Sequence, residues 1–207
     1  MKGIFITFEG PDGAGKTTQI NLLKEYLISK GFDVVLTREP GGTPIGEKIR
    51  NVILDVENKE MDDICEALLY AASRAQLVKE FILPNIEQGK VVICDRFVES
   101  SIVYQGYARG IGEEKIEAIN NIATRGLVPD AVFLLMLTPE EGIKRKKNSG
   151  KLDRLEMEKI EFHKKVYEGY NRLKGKRKNV FEIDATLDVN LIHNKIIGIV
   201  ENLLREE

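Results

Sequence analysis

Gly10-Pro11-Asp12-Gly13-Ala14-Gly15-Lys16-Thr17 has the spacing G-x-x-x-x-G-K-[ST], and it directly follows the strand-like segment that begins with the apolar run at 4–8. Those residue types at that spacing hold phosphate. Glycines let the backbone curl until several N–H groups converge on anionic oxygens, at the positive end of the helix that follows. Lys16 adds a mobile positive charge for β- and γ-phosphates, and the Thr17 hydroxyl suits a Mg²⁺ ion that bridges them. Thr18 continues the same stretch. A cradle of this kind serves ATPases, GTPases and small-molecule kinases alike, so the second substrate must be read from other residues.

Four further groups sit where strands end or on helices beside the cradle. Thr37-Arg38-Glu39-Pro40-Gly41-Gly42-Thr43 puts an arginine and a glycine turn after an apolar run, at the edge where open α/β sheets bind ligands. Asp95-Arg96-Phe97 follows another such run; a strand-end carboxylate can serve Mg²⁺, and the planar fork of Arg96 suits a phosphate. Ser100-Ser101-Ile102-Val103-Tyr104-Gln105 offers hydroxyl, phenol and amide groups for a base edge and a sugar. Tyr70 and Arg74 lie at i and i+4 on a long helical pattern, able to clamp a base between a ring and a guanidinium. Taken singly, each has a bland alternative as a local ion pair or as packing.

The elements that must position these residues alternate along the chain. Short apolar runs at 4–8, 34–37, 91–94, 131–137 and 180–183 predict strands, and all but the last are nearly continuous, as in strands buried on both faces. Helical spacing appears at 17–29 through Ile20, Leu23 and Leu27. It recurs at 62–88 through Ile64, Leu68, Ala75, Val78 and Ile82, and at 189–204 through Ile192, Ile196, Ile199 and Leu203. This alternation predicts an α/β fold, a five-stranded parallel sheet with helices on both faces. No linker, repeat or low-complexity tract interrupts residues 1–207, so a single domain is expected. Residues 144–154 hold six basic residues in eleven. Such a run is usually a solvated loop; beside a phosphate cradle it predicts a cationic lid at about 142–154.

Composition narrows the class. With 207 residues, 43% apolar and 31% charged, the chain is a soluble globular type, and 31 basic against 33 acidic residues leave −2, no footprint for nucleic acid. Cys65 and Cys94 form no disulfide framework, and with only His163 and His193 beside them a Cys/His zinc site is not expected. The opening apolar run is too short for a secretion signal, and no stretch approaches the roughly 20 apolar residues of a membrane span. A cytoplasmic protein is expected.

Phe8-Glu-Gly-Pro-Asp-Gly-Ala-Gly-Lys-Thr-Thr-Gln19, Thr37-Arg-Glu-Pro-Gly-Gly-Thr43, Asp95-Arg-Phe-Val-Glu-Ser-Ser-Ile-Val-Tyr-Gln105 and Leu152-Asp-Arg-Leu-Glu156 together resemble the thymidylate kinases, in order and over nearly the whole chain. The resemblance implies a P-loop kinase fold with a basic lid, transfer of the γ-phosphoryl group of ATP to dTMP with Mg²⁺, and a homodimer. It implies ATP phosphates at Gly10, Pro11, Asp12, Gly13, Ala14, Gly15, Lys16, Thr17 and Thr18, with Asp12 positioning Lys16 or the acceptor. It implies the dTMP phosphate at Arg38 and Arg96, thymine stacked on Tyr70 and bonded by Arg74, and Ser101 and Gln105 on the rest of the base edge. Tyr104 would press on the deoxyribose, and Thr17 and Asp95 would serve the metal. Gly13 and Ala14 resemble the members that carry their extra cation in the lid, where this chain offers Arg145, Lys147 and Arg154, with Ser149 at a position often held by arginine. The rival readings are a kinase for another nucleoside or nucleotide, a GTPase-like switch and a non-catalytic binding module. The switch is disfavoured because no Asn-Lys-x-Asp string follows a strand.

Overall fold

The computed structural model describes residues 3–146 and 153–205. Five parallel strands form one sheet among these residues: β1 (Ile4–Glu9), β2 (Val34–Arg38), β3 (Val91–Asp95), β4 (Ala131–Met136) and β5 (Val180–Asp184), in the order β2-β3-β1-β4-β5. Each expected strand is present, a residue longer or shorter at its end. The apolar runs are continuous because both faces are covered. Ile4, Ile6 and Phe8 of β1 join Ile93, Phe133 and Leu135 in a core under α1 (Lys16–Ser29) and α9 (Val189–Arg205). Phe5, Val92 and Cys94 face the other way, with Leu134 and Met136.

The opposite layer holds α2 (Pro44–Leu54), α3 (Asp63–Leu77), a π-helical turn at Val78–Ile82, α4 (Leu83–Glu87), α5 (Val98–Ser101), a second π-helical segment at Ile102–Ala108, α6 (Glu113–Thr124), α7 (Pro139–Lys146) and α8 (Ile160–Leu173). The single helix expected over 62–88 is therefore α3, a π turn and α4. Pro84 has no N–H for the carbonyl one turn back, and a wider turn there absorbs the break in the ladder. The expected inward stripe holds at Val78 and Ile82, both buried, and is corrected at Ile64 and Leu68. Ile64 and Leu68 are 56% and 52% exposed, while Ala67, Ala71, Arg74, Leu77 and Val78 face inward. The apolar periodicity was ambiguous because α3 packs between α2 and α6, so its buried stripe lies one residue round from Ile64 and Leu68.

Topology makes the crevice. Adjacent β1 and β3 feed helices on opposite faces, α1 under one and α5 under the other, which opens a gap beyond their carboxyl ends. The register sets Phe8 and Arg38 level with Asp95. The three strand-end motifs therefore finish at one height.

Candidate active site

The loop between β1 and α1 curls as its glycines allow. Gly10 has φ 127°, and a Cβ there would sit 2.1 Å from the carbonyl oxygen of Leu135. Gly13 has φ 78° and lies against Gly142 of α7, where a Cβ would come within 2.7 Å of the Gly142 carbonyl oxygen. No side chain caps α1, whose N-cap is Gly15 in the left-handed region, and no acidic residue occupies its first turn. Its first N–H groups are thus left for an anion. Lys16 is only 7% exposed. Its ammonium donates to the carbonyls of Gly10 (3.0 Å) and Pro11 (3.1 Å). Burial, and then the nearby Arg96 guanidinium, push its pKa down to about 8.

Arg96 joins this loop to the other side of the crevice. Its Nη2 donates to Asp12 Oδ1 (2.7 Å), and its Nη1 donates to the Gly10 carbonyl (3.1 Å), Ser100 Oγ (3.1 Å) and Tyr170 Oη (3.2 Å). Its guanidinium also lies 5.3 Å from the Tyr104 ring centre, an attractive cation–π position. The backbone of Arg96 is left-handed, φ 70°, which costs a non-glycine residue about 1–3 kcal/mol and persists only where surroundings over-determine it. The bond from its N–H to the Phe8 carbonyl (2.9 Å) is one such constraint.

A cleft of about 580 Å³ runs from the loop to α3 and the π-helical segment. Asp12, Gly13, Gly15, Lys16, Thr17 and Thr18 line its phosphate end. Arg38, Tyr70, Arg74, Asp95, Arg96, Ser101, Tyr104, Gln105 and Arg145 line the remainder, so the structure gathers nearly every residue singled out in the sequence. Gly10, Pro11 and Ala14 form the loop backbone behind that lining. Burial raises the phenol pKa values of Tyr70 and Tyr104, keeping both rings neutral.

Three of the expected site residues carry protein contacts of their own in the structure. Arg74 is 1% exposed, and its five donors are committed to Glu39, Ser101, Asn120 and the Phe97 carbonyl. It forms the floor of the cleft, where a ligand would have to share a donor. Arg154 does not line the cleft at all. Its Nε donates to the Ile53 carbonyl (2.8 Å) and its Nη2 to Glu66 (2.5 Å), so it tethers the segment after the lid to α2 and α3. Its expected place is among the phosphoryl-facing cations; in this structure its charge is held by the buried carboxylate of Glu66. Arg145 lines the cleft, with both Nη atoms on the Ala185 carbonyl at 3.2 Å. Lys147 and Ser149 lie outside the described residues.

The residues capable of serving Mg²⁺ fit the role. Asp95 Oδ1 is buried and has no hydrogen-bond partner among the described residues, and Thr17 lines the same cleft. No group of three or more His, Cys, Asp or Glu side chains among the described residues makes a metal cage. A Mg²⁺ ion held by one carboxylate and substrate phosphates needs none.

Comparison with known proteins bears on the family and the fold. The sequence profile described as thymidylate kinase matches residues 8–196. The chain is 52% identical to the thymidylate kinase of Thermoanaerobacter sp. (strain X514) over 205 residues, 99% of this chain and 100% of that one. It is also 52% identical to that of Caldanaerobacter subterraneus subsp. tengcongensis, over 99% and 98% of the two chains. The crystal structure of thymidylate kinase from Ehrlichia chaffeensis superposes with a TM-score of 0.78 at 35% identity, covering 97% of this chain and 99% of that one. The chain belongs to the thymidylate kinase family.

Several side chains that build this cleft are not among the site residues the sequence singles out. Glu9 is buried and accepts from the Phe97 N–H (2.7 Å), Ser100 Oγ (2.5 Å) and Tyr170 Oη (3.3 Å); burial raises its pKa while the Ser100 bond, the Arg96 charge and the Phe97 N–H pull it back. A carboxylate at the end of an otherwise apolar strand was the available signal. Arg50 of α2 donates to the Pro40 carbonyl (2.9 Å) beside Arg38, which donates to the same oxygen at 2.9 Å. Tyr170 of α8 arrives from some 70 residues beyond Arg96, and nothing local announces it.

Proposed function

We propose that the protein transfers the γ-phosphoryl group of ATP to dTMP, giving ADP and dTDP, as a nucleoside monophosphate kinase. The observation that carries this reading is the position of Arg96, bonded to Asp12 and Gly10 of the phosphate loop while stacked on Tyr104 of the base-reading face. A cation shared by both halves of the cleft is what two mutually repelling phosphates require. The acceptor is a phosphate monoester, largely dianionic at pH 7 with a second pKa of about 6, so it needs no strong base. Positioning and charge are left as the catalytic work.

In this reading Gly10, Pro11, Asp12, Gly13, Ala14, Gly15, Lys16, Thr17 and Thr18 hold the phosphates of ATP. Lys16 exchanges its two loop carbonyls for the β- and γ-oxygens. Arg38 and Arg96 take the dTMP phosphate, and Asp12 steers Arg96. Tyr70 stacks on thymine, Ser101 and Gln105 read its edge above the Arg74 floor, and Tyr104 presses on the deoxyribose. Thr17 and Asp95 hold Mg²⁺, which neutralises phosphate charge when it is bound. Residues 1–207 act as one kinase unit. Arg145 and Lys147 of the lid at 142–154 supply charge and exclude water from the reacting groups.

The protein is read as a homodimer of the exposed face where α2 and α3 lie side by side, with Val52, Ile64 and Leu68 offering apolar area. No described helix is long and apolar enough to cross a membrane. Cys65 and Cys94 are free thiols, which suits a reducing cytoplasm. The deciding experiment is ADP release from Mg–ATP with dTMP, dUMP, dGMP, dCMP, AMP and thymidine as separate acceptors. Stimulation confined to dTMP, or to dTMP with weaker dUMP, upholds the reading. Stronger stimulation by another acceptor keeps the kinase and discards the assigned base readers.

A further inference from the structure

Glu66 is 1% exposed on α3, and no motif singles it out. Its Oε1 accepts from Gln105 Nε2 (3.0 Å) and Arg109 Nε (3.4 Å). Its Oε2 accepts from Arg109 Nη2 (3.2 Å) and Arg154 Nη2 (2.5 Å). Two guanidinium groups therefore hold this carboxylate in its ionised form. Burial opposes the charge, but the bonds from Gln105, Arg109 and Arg154 outweigh it and keep the pKa below the ordinary carboxylate value. Arg109 is itself braced by Asp63 (3.3 Å) and Glu158 (2.7 Å), and its guanidinium lies 4.6 Å from the Phe162 ring centre.

An ionised carboxylate only accepts hydrogen bonds. The amide of Gln105 can meet it through the NH₂ end alone, because the flipped amide would set oxygen against oxygen and lose the bond. Gln105 also lines the cleft, and the amide end left for a ligand is its oxygen. We propose that Glu66 is a positioning residue that locks the Gln105 amide with its oxygen toward the base, making the site select a ring with N3–H and reject one with a bare N3. This rests on reading Gln105 as a base-edge residue. Thymine and uracil carry N3–H beside a 4-oxo group. Cytosine carries an N3 lone pair beside a 4-amino group, so the locked oxygen faces a lone pair. A glutamine at position 66 removes the lock, since each amide can then turn to suit the other, and the Gln105 NH₂ becomes available to the cytosine N3.

The test measures kcat/KM for dTMP, dUMP and dCMP in wild type, Glu66→Gln, Glu66→Asp and Gln105→Leu. Glu66→Asp keeps the charge for Arg109 and Arg154 but draws the acceptor back from Gln105, and it carries the test if Glu66→Gln does not fold. The expected result is a dTMP/dCMP ratio lowered about tenfold or more in both Glu66 variants. The dTMP/dUMP ratio should stay within about twofold, because those two bases share the edge that Gln105 reads. A merely structural Glu66 would lower activity on all three acceptors alike and leave both ratios unmoved, which overturns the proposal. If Gln105→Leu also leaves the dTMP/dCMP ratio at the wild-type value, the base-reading role of Gln105 fails and the proposal falls with it. A ratio lost in Gln105→Leu but kept in both Glu66 variants rejects the lock alone.

Discussion

The Arg96 guanidinium reaches from the end of β3 to the carboxylate of Asp12 in the phosphate loop, Nη2 to Oδ1 at 2.7 Å. Residues 84 positions apart thereby share one charge pair across the crevice. The pair is only part-buried, so its worth lies less in stability than in aiming the fork.

Arg96→Lys keeps a positive charge but cannot span Asp12, the Gly10 carbonyl, Ser100 and Tyr170 together. The kcat/KM for dTMP should fall roughly 100-fold, on the scale of losing one oriented donor to transition-state charge. The KM for ATP should change by less than about threefold, because the α1 N-terminus and Lys16 remain. Steady-state kinetics with each substrate varied checks both. A wild-type kcat/KM for dTMP would remove Arg96 from the acceptor site.

Lys16 gives a pH signature. Its free-enzyme pKa of about 8 lies below the ordinary 10.5. Bound phosphates favour the ammonium and raise that value, so ATP binding takes up a proton between about pH 8 and pH 10 and none near pH 6.5 from this group. Calorimetric titrations at pH 9 in two buffers of different ionisation enthalpy should give different apparent binding heats. Equal heats would place the Lys16 pKa elsewhere. For folding, the unfolded chain binds the proton more tightly, so the cost of charging buried Lys16 is fully present below pH 8 and is relieved as pH rises toward 10.5.

Among the described residues Asp95 offers one unpartnered buried oxygen and no cage surrounds it, so the metal should arrive with the nucleotide. Chelation with EDTA should abolish turnover, while Mg²⁺ alone should shift the thermal midpoint of the nucleotide-free protein by less than about 1 °C. Asp95→Asn should raise the Mg²⁺ needed for half-maximal rate about tenfold or more. An unchanged Mg²⁺ requirement would leave Asp95 without a metal role.

The apolar face of α2 and α3 can be tested by sedimentation velocity. Wild type should sediment as a dimer. The double variant Ile64→Lys, Leu68→Lys should sediment as a monomer, since two buried lysines at the interface lack partners. Identical sedimentation of the two proteins would move the interface elsewhere or make the wild type a monomer.

The parallel sheet was legible because its strands announce themselves. Runs such as Val91-Val92-Ile93-Cys94 are apolar on both pleat faces, and only a sheet covered on both sides tolerates that. The helix at Pro44–Leu54 was less so, since its signal is Thr43 capping the Gly46 N–H with Pro44 in the first turn, beside an amphipathic pattern with exposed Ile45 and Val52. Tyr70 and Arg74 were found by spacing. That spacing said nothing of depth, and Arg74 proved to be fully buried while Ile64 and Leu68 are exposed.

By itself the sequence determined the phosphate cradle, the strand ends that carry Arg38, Asp95 and Arg96, and the polar string from Ser101 to Gln105 that lines the cleft. Those are local matters, since loop curvature, strand ends and helix starts depend on neighbouring residue types. Only the tertiary structure decided which cations face the cleft and which are consumed inside the protein. Arg154 and Arg109 are drawn to Glu66, Arg74 to Glu39, and Arg96 to Asp12. Such pairings join residues 35 to 88 positions apart. They are settled by which charges are desolvated together, and that is a property of packing rather than of spacing.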